Sequence, residues 1–191
     1  DGMVVEPEKQ LEYLQAIQNK SARMNDLIHL LFEYVKLDSE GFSLDRKETD
    51  LSELLRENAA LIYADFEDAG MEFEIDIPEE VVSVSVDSIQ FSRVITNLLN
   101  NAIEACEKCS GKKFMKMKLV KEKDNIIISV KNTYDGKLNI KDGEIQTSKK
   151  YEIDEHGVGI KNIIEVITKY QGSYAIRNDN NEFYFSVILP N

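Results

Sequence analysis

Residues 94–105, VITNLLNNAIEA, set three asparagines inside what otherwise reads as a buried helix. At 3.6 residues per turn, Asn97, Asn101 and Glu104 stack along one narrow line, which Gln90 and Arg93 continue upstream. Ile95, Leu98, Leu99 and Ala102 occupy the flanks, and Asn100 falls at the edge of the stripe. A helix apolar over most of its circumference must be covered by other elements, so its one polar stripe faces solvent or a ligand. A buried amide without a partner costs roughly 1–3 kcal/mol, so one of the two is required. Solvent is the plainer choice, yet Lys and Glu are better helix formers than Asn and usually fill such positions. Amide oxygens instead suit a hard cation such as Mg²⁺, which keeps several waters beside a nucleotide's phosphates.

The remaining pattern predicts what surrounds this helix. Pro7 suits the first turn of a helix reaching about Leu37, in which Leu14, Ile17, Ser21, Met24, Ile28, Leu31 and Val35 form a seam spaced three and four apart. One helix cannot bury its own stripe, so this seam calls for partner helices. DSEGFSLDRKET, residues 38–49, reads as a polar linker. Asp50 with Glu53 signals a second helix ending before Gly70. MEFEIDIP and VVSVSV alternate as half-buried strands, and Asp87 with Gln90 opens the asparagine helix. FMKMKLV and IIISVK follow as strands across an Asp124-Asn125 turn. Residues 133–155 hold no periodic pattern, and a helix over about 158–170 precedes strands at 173–177 and 183–189. Strands in adjacent pairs that suggest hairpins, broken by helices, indicate α+β rather than a doubly wound sheet.

Charge narrows the partners. With 35 acidic and 23 basic residues the net charge is -12, which argues against a general nucleic-acid or anionic-membrane surface. No apolar run approaches the ~20 residues of a membrane helix and no signal peptide is visible. The chain starts at Asp1 rather than Met, so it reads as a piece of a longer protein, with any membrane tether upstream. Two cysteines without a disulfide framework favour a reducing compartment. Cys106-x-x-Cys109 lacks the further ligands a metal site wants, and Glu79-Glu80 fits a charged turn.

EHGVGIKNIIEVITKY carries Gly157 and Gly159 where the long loop becomes a helix. Glycines there let a ligand approach the backbone, and free N–H groups of a helix start favour phosphate. A simple turn explains the same glycines, and no P-loop motif occurs in the chain. Lys149 and Lys150 either bring charge to a terminal phosphate or are a solvated pair. Asn132, at the end of IIISVK, offers a donor and an acceptor matching adenine, or is a turn residue.

These elements in this order resemble the ATP-binding domain of sensor histidine kinases, in the GHKL group shared with gyrase, Hsp90 and MutL. NLLNNA is similar to the N box, HGVGI to the second half of the G2 box, and NTYDG sits where a G1 box belongs. The resemblance implies an α+β fold: a long N-terminal bundle helix, then a Bergerat-type α/β sandwich, a mixed sheet with helices on one face. Residues 1–44 would be the second helix of a dimerisation and histidine-phosphotransfer hairpin plus linker, and residues 45–191 the catalytic domain. Asn101 would ligate Mg²⁺, and Asn97 would order metal and phosphates in a catalytic role. Asn132, Gly136, Lys149, Lys150, His156, Gly157, Val158, Gly159 and Ile160 would hold ATP.

The implied activity is ATP-dependent phosphorylation of a histidine on an upstream helix, for relay to a response regulator. The implied setting is a homodimer in the cytoplasmic portion of a membrane-bound bacterial sensor, with no nucleic acid and no direct membrane contact. The pattern departs from the family where Asn132 replaces the G1 aspartate, Tyr134 its first glycine, and Glu104 a basic residue. No phenylalanine lies within 133–155, and neither His29 nor His156 sits in a phosphoacceptor motif. An anti-sigma-type serine kinase and a degenerate nucleotide-binding or scaffold module are the alternative readings.

Overall fold

Alternation in three strands builds the core. Met117, Val130 and Phe185 lie side by side in register, as do Leu119, Ile128 and Val187, and all six are buried. The computed structural model describes residues 43–135, 139–141, 144–146, 156–179 and 181–191, preceded by residues 9, 11, 13–15, 17, 18, 20, 21, 24 and 28. The chain divides into two compact units, Asp1–Ser43 and Leu44–Asn191.

In the first unit every described position from 9 to 28 is helical and exposed, including Leu14, Ile17, Ser21, Met24 and Ile28 of the seam. Leu31, Val35 and His29 lie outside the described residues.

The second unit runs β1 (Lys47–Asp50), α1 (Leu51–Leu61), α2 (Tyr63–Asp68), β2 (Glu72–Asp76), β3 (Ser83–Val86), α3 (Ser88–Glu107), β4 (Phe114–Lys121) and β5 (Asn125–Thr133). It continues with β6 (Asn139–Lys141), β7 (Glu144–Gln146), α4 (His156–Lys169), β8 (Ser173–Asp179) and β9 (Glu182–Pro190). The main sheet has the order β2-β4-β5-β9-β8, with β2 parallel to β4 and every other pair antiparallel. A parallel neighbour needs a crossover, and α3 supplies it. The fold is thus a mixed α+β sandwich.

The apolar face of the sheet packs on α3, while the opposite face is polar, with Lys116–Glu74 and Lys131–Glu182 pairs at 2.6 and 2.7 Å. Such half-exposed pairs add little stability; the buried apolar face dominates.

Side-chain caps fix where the helices begin. The Asp50 carboxylate accepts from the Ser52 N–H at 3.0 Å and starts α1. Asp87 starts α3 through Oδ1, which accepts from the Gln90 N–H at 3.1 Å, while its Oδ2 accepts from the Asp45 N–H at 3.1 Å. Between α1 and α3 a buried amide is fully used. Asn58 Nδ2 donates to Leu54 O and Ser92 Oγ, and its Oδ1 accepts from Thr96 Oγ1 at 3.2 Å. On the other flank of α3, Phe91 meets Tyr170, just beyond α4, ring edge to face at 5.9 Å.

Several expectations need correction. The strands at 72–76 and 83–86 do not form a hairpin: β2 joins β4, and β3 pairs with β1 inside the stretch read as linker. The β1 sequence KETD has no apolar alternation, because this two-stranded ribbon buries little. Residues 133–155, read as patternless, contain the antiparallel pair β6–β7. The helix expected to run unbroken to Gly70 divides at Ile62, where φ is -109° and ψ 12°.

Candidate functional site

The helix α3 carries the asparagine stripe as its period dictates. Phe91, Val94, Ile95, Leu98, Leu99, Ala102, Ile103 and Cys106 are buried, Asn97 and Asn101 are half-buried, and Asn100 is exposed. Asn101 nevertheless has its Nδ2 fully enclosed and without a hydrogen-bond partner. The two ends of a carboxamide are assigned from their surroundings, so the observation is that one end of this amide is buried and unmatched. The enclosed end alone forfeits roughly 1–3 kcal/mol, a cost few native side chains carry without a reason. Gln90, upstream on the stripe, is buried and accepts from Arg93 Nη1 at 3.5 Å.

Asn132 is not a turn residue. It continues the buried row Ile126, Ile128 and Val130 of β5, between Met115 of β4 and Phe183 of β9, and is 1 % exposed. Its Nδ2 donates to Thr133 O at 2.8 Å. Cys106 on α3 lies against it, and the thiol also contacts Phe114 O and Thr133 O at 3.5 and 3.4 Å. Burial pushes the Cys106 thiol up, with the neighbouring Cys109 adding to the rise. Cys109 Sγ contacts Ala105 O at 3.3 Å, and burial raises its thiol too. Both cysteines are free and serve as packing groups; no metal-ligating group of three or more side chains occurs among the described residues.

The backbone of α4 begins at His156, so Gly157, Val158 and Gly159 lie in its first turn. Ile160 is half-buried. The long inner face is formed by Asn162, Ile163, Val166, Ile167 and then Tyr170, all buried. Gly136, Lys149 and Lys150 lie outside the described residues. The structure therefore brings α3 with Asn97 and Asn101, the inner end of β5 with Asn132, and α4 into one packed unit.

Sequence reading missed Asn162, which is 7 % exposed and has an Oδ1 without a partner. The recoverable signal was its spacing. It follows Gly159 by three residues and precedes Val166 by four, placing a polar residue on a face otherwise apolar.

A divalent cation with a nucleotide fits this donor set. Neutral amide oxygens at Asn97 and Asn101 match the hard-oxygen preference of Mg²⁺, and the enclosed Asn101 Nδ2 has no acceptor among its neighbours.

The GHKL domain family matches residues 86–190, from the end of β3 to the last residue of β9. The sensor protein SrrB of Staphylococcus aureus is 28% identical over 102 residues, which are 53% of this chain and 17% of SrrB. The chain thus spans a small part of that relative. Among solved structures, the histidine kinase AdeS of Acinetobacter baumannii superimposes with a TM-score of 0.76 at 16% identity, covering 98% of this chain and 87% of AdeS. The histidine kinase ThkA, solved in complex with the response regulator TrrA, gives 0.75 at 22% identity over 98% of this chain and 53% of ThkA. At these identities the superpositions speak for the fold. The family match, covering more than half of the chain and including both the asparagine helix and the glycine-bearing helix, goes further: this chain belongs to the GHKL domain family.

Proposed function

We propose that this chain is the nucleotide-binding portion of a sensor histidine kinase, binding Mg²⁺-ATP and passing the γ-phosphoryl group to a histidine imidazole outside it. The observation that carries the reading is the half-buried Asn101, whose carboxamide is unmatched at one end on a stripe shared with Asn97. Asn101 and Asn97 would hold Mg²⁺, which supplies charge neutralisation on the phosphates when bound. The first-turn backbone of α4, opened by Gly157 and Gly159, would meet the phosphates, with Lys149 and Lys150 beside them. Asn132 would recognise the adenine edge from the buried end of β5. Transfer then rests on positioning and charge rather than on a protein nucleophile in this chain.

Residues 1–44 we read as the second helix of a dimerisation hairpin. Its exposed seam at Leu14, Ile17, Met24 and Ile28 supports that reading, because partner helices would cover it in a bundle. The same reading proposes a response regulator as partner and a cytoplasmic setting. No helix among the described residues is long and apolar enough to cross a membrane.

A second reading, a module that binds nucleotide without transfer, is favoured by Tyr134. Where the resemblance expects glycine, this residue has a packing role: its N–H donates to Asn181 O at 2.7 Å and its ring lies 6.0 Å from that of Phe183.

Calorimetric titration with ATP, with and without Mg²⁺, tests the site. Asn101→Ala should lose the Mg²⁺-dependent part of the affinity and keep its fold; unchanged affinity would overturn the assignment. Incubation of a chain extended upstream with γ-labelled ATP tests the chemistry. Acid-labile label supports the kinase, acid-stable label on a partner's serine an anti-sigma-type enzyme, and no label the non-transferring module.

A further inference from the structure

The second unmatched amide points to a positioning residue. Helix α3 offers a buried donor without an acceptor, Asn101 Nδ2, and helix α4 a buried acceptor without a donor, Asn162 Oδ1. The two helices pack directly on each other.

Ideal helix geometry puts the two amides on facing sides of the two helices. Helix α1 touches α3 through Ser92 and Thr96, whereas α4 is reached through Phe91 and Tyr170. At about 100° per residue, Asn101 lies about 80° from Phe91 around α3 but about 140° from Thr96, so it turns toward α4. Of the stripe residues Asn97, Asn101 and Glu104 it is the one nearest that side. Along the axes, Asn101 is roughly 15 Å beyond Phe91 and Asn162 roughly 12 Å before Tyr170. The end of α4 lies at the start of α3, so running back along it brings the two to about the same level. Gly159 precedes Asn162 by three residues, one turn nearer the start of α4.

We propose that Asn162 is a positioning residue for the metal-binding amide: its Oδ1 takes the Asn101 Nδ2–H when nucleotide binds, which turns Asn101 Oδ1 toward Mg²⁺. This rests on the nucleotide reading above. An isosteric apolar side chain would pack between α3 and α4 without an unmatched polar atom, so packing alone gives no reason for asparagine here. Fixing the amide plane does. One carboxamide end engaged by the protein leaves the other with a single direction, as partners behind a metal ligand commonly ensure.

The test compares Asn162→Leu and Asn162→Asp with the unaltered chain and with Asn101→Ala, each titrated with ATP in the presence and absence of Mg²⁺. The readout is the gain in affinity that Mg²⁺ confers. Asn162→Leu should reduce that gain about tenfold, equivalent to about 1.4 kcal/mol, with Tm unchanged or raised. Asn162→Asp retains an acceptor and should retain most of the gain. If Asn162→Leu keeps the full Mg²⁺ gain while Asn101→Ala loses it, the inference is overturned and the nucleotide reading stands. A Tm lowered by Asn162→Leu, with the gain intact in whatever folds, would make Asn162 a structural residue and overturn it equally. If the unaltered chain binds no ATP, the nucleotide reading fails and this inference with it.

Discussion

The Asp87 backbone N–H donates to the Tyr170 hydroxyl at 3.0 Å, joining the N-cap of α3 to the residue that follows α4 across 83 positions of sequence. Burial raises the Tyr170 phenol, with partial relief from its bond to Asp87, so the group stays a neutral hydroxyl across the physiological range. Tyr170→Phe keeps the ring on Phe91 and removes only the oxygen. The buried Asp87 N–H is then left without that acceptor, and stability should fall by about 1–2 kcal/mol. Urea unfolding checks this, and an unchanged midpoint would show the bond to be of no consequence.

Close approach defines a second test. A Cβ added at Gly172 would stand 2.7 Å from Ile188 O and 2.9 Å from Ile167 Cγ2, one of them rigid backbone. Gly172→Ala should therefore cost about 1–3 kcal/mol by forcing β9 away from the end of α4. The preceding residue, Gln171, holds φ at 60°, a conformation that glycine adopts freely. Gln171→Gly should be neutral or mildly stabilising, so in thermal unfolding only the Gly172 substitution should lower the midpoint.

The two asparagines of the site should separate by their dependence on metal. Asn132→Ala, at the buried end of β5, should weaken ATP binding about tenfold whether or not Mg²⁺ is present. Asn101→Ala should act only through the metal. Parallel titrations check this, and a Mg²⁺-dependent loss at Asn132 would remove it from the adenine role.

The buried thiols give a pH dependence. Burial raises both Cys106 and Cys109 in the folded chain. Below the unfolded value, about 8.5, both states hold the protons and stability is full. As pH rises above it the unfolded chain releases them more readily, so stability declines through the raised folded values. Cys106→Ala should flatten that decline in urea titrations between neutral and alkaline pH. An equally steep decline in the variant would assign it to other groups. Iodoacetamide should modify Cys106 far more slowly in buffer than in urea.

What was legible in the sequence followed from period. The asparagine stripe, the caps at Asp50 and Asp87, and all five strands of the main sheet were legible from local pattern that survives packing. Even the burial of Asn132 was latent in the alternation Ile126, Ile128, Val130, Asn132, although the residue also suited a turn. The ribbon strand β1 was not legible, because a short strand that buries little carries no apolar alternation, and β6 and β7, three residues each, are too short to show a period. Asn162 escaped because one polar residue in KNIIEVI reads as noise until its helix acquires a neighbour.

One carboxylate links two parts of the molecule that the sequence keeps 42 positions apart. Asp87 holds the first turn of the asparagine helix with Oδ1 and the Asp45 N–H with Oδ2. The side chain that holds the entering chain at Asp45 is thus the same one that keeps that turn wound. Replacing Asp87 would therefore release both the start of the domain and the first turn of α3 at once.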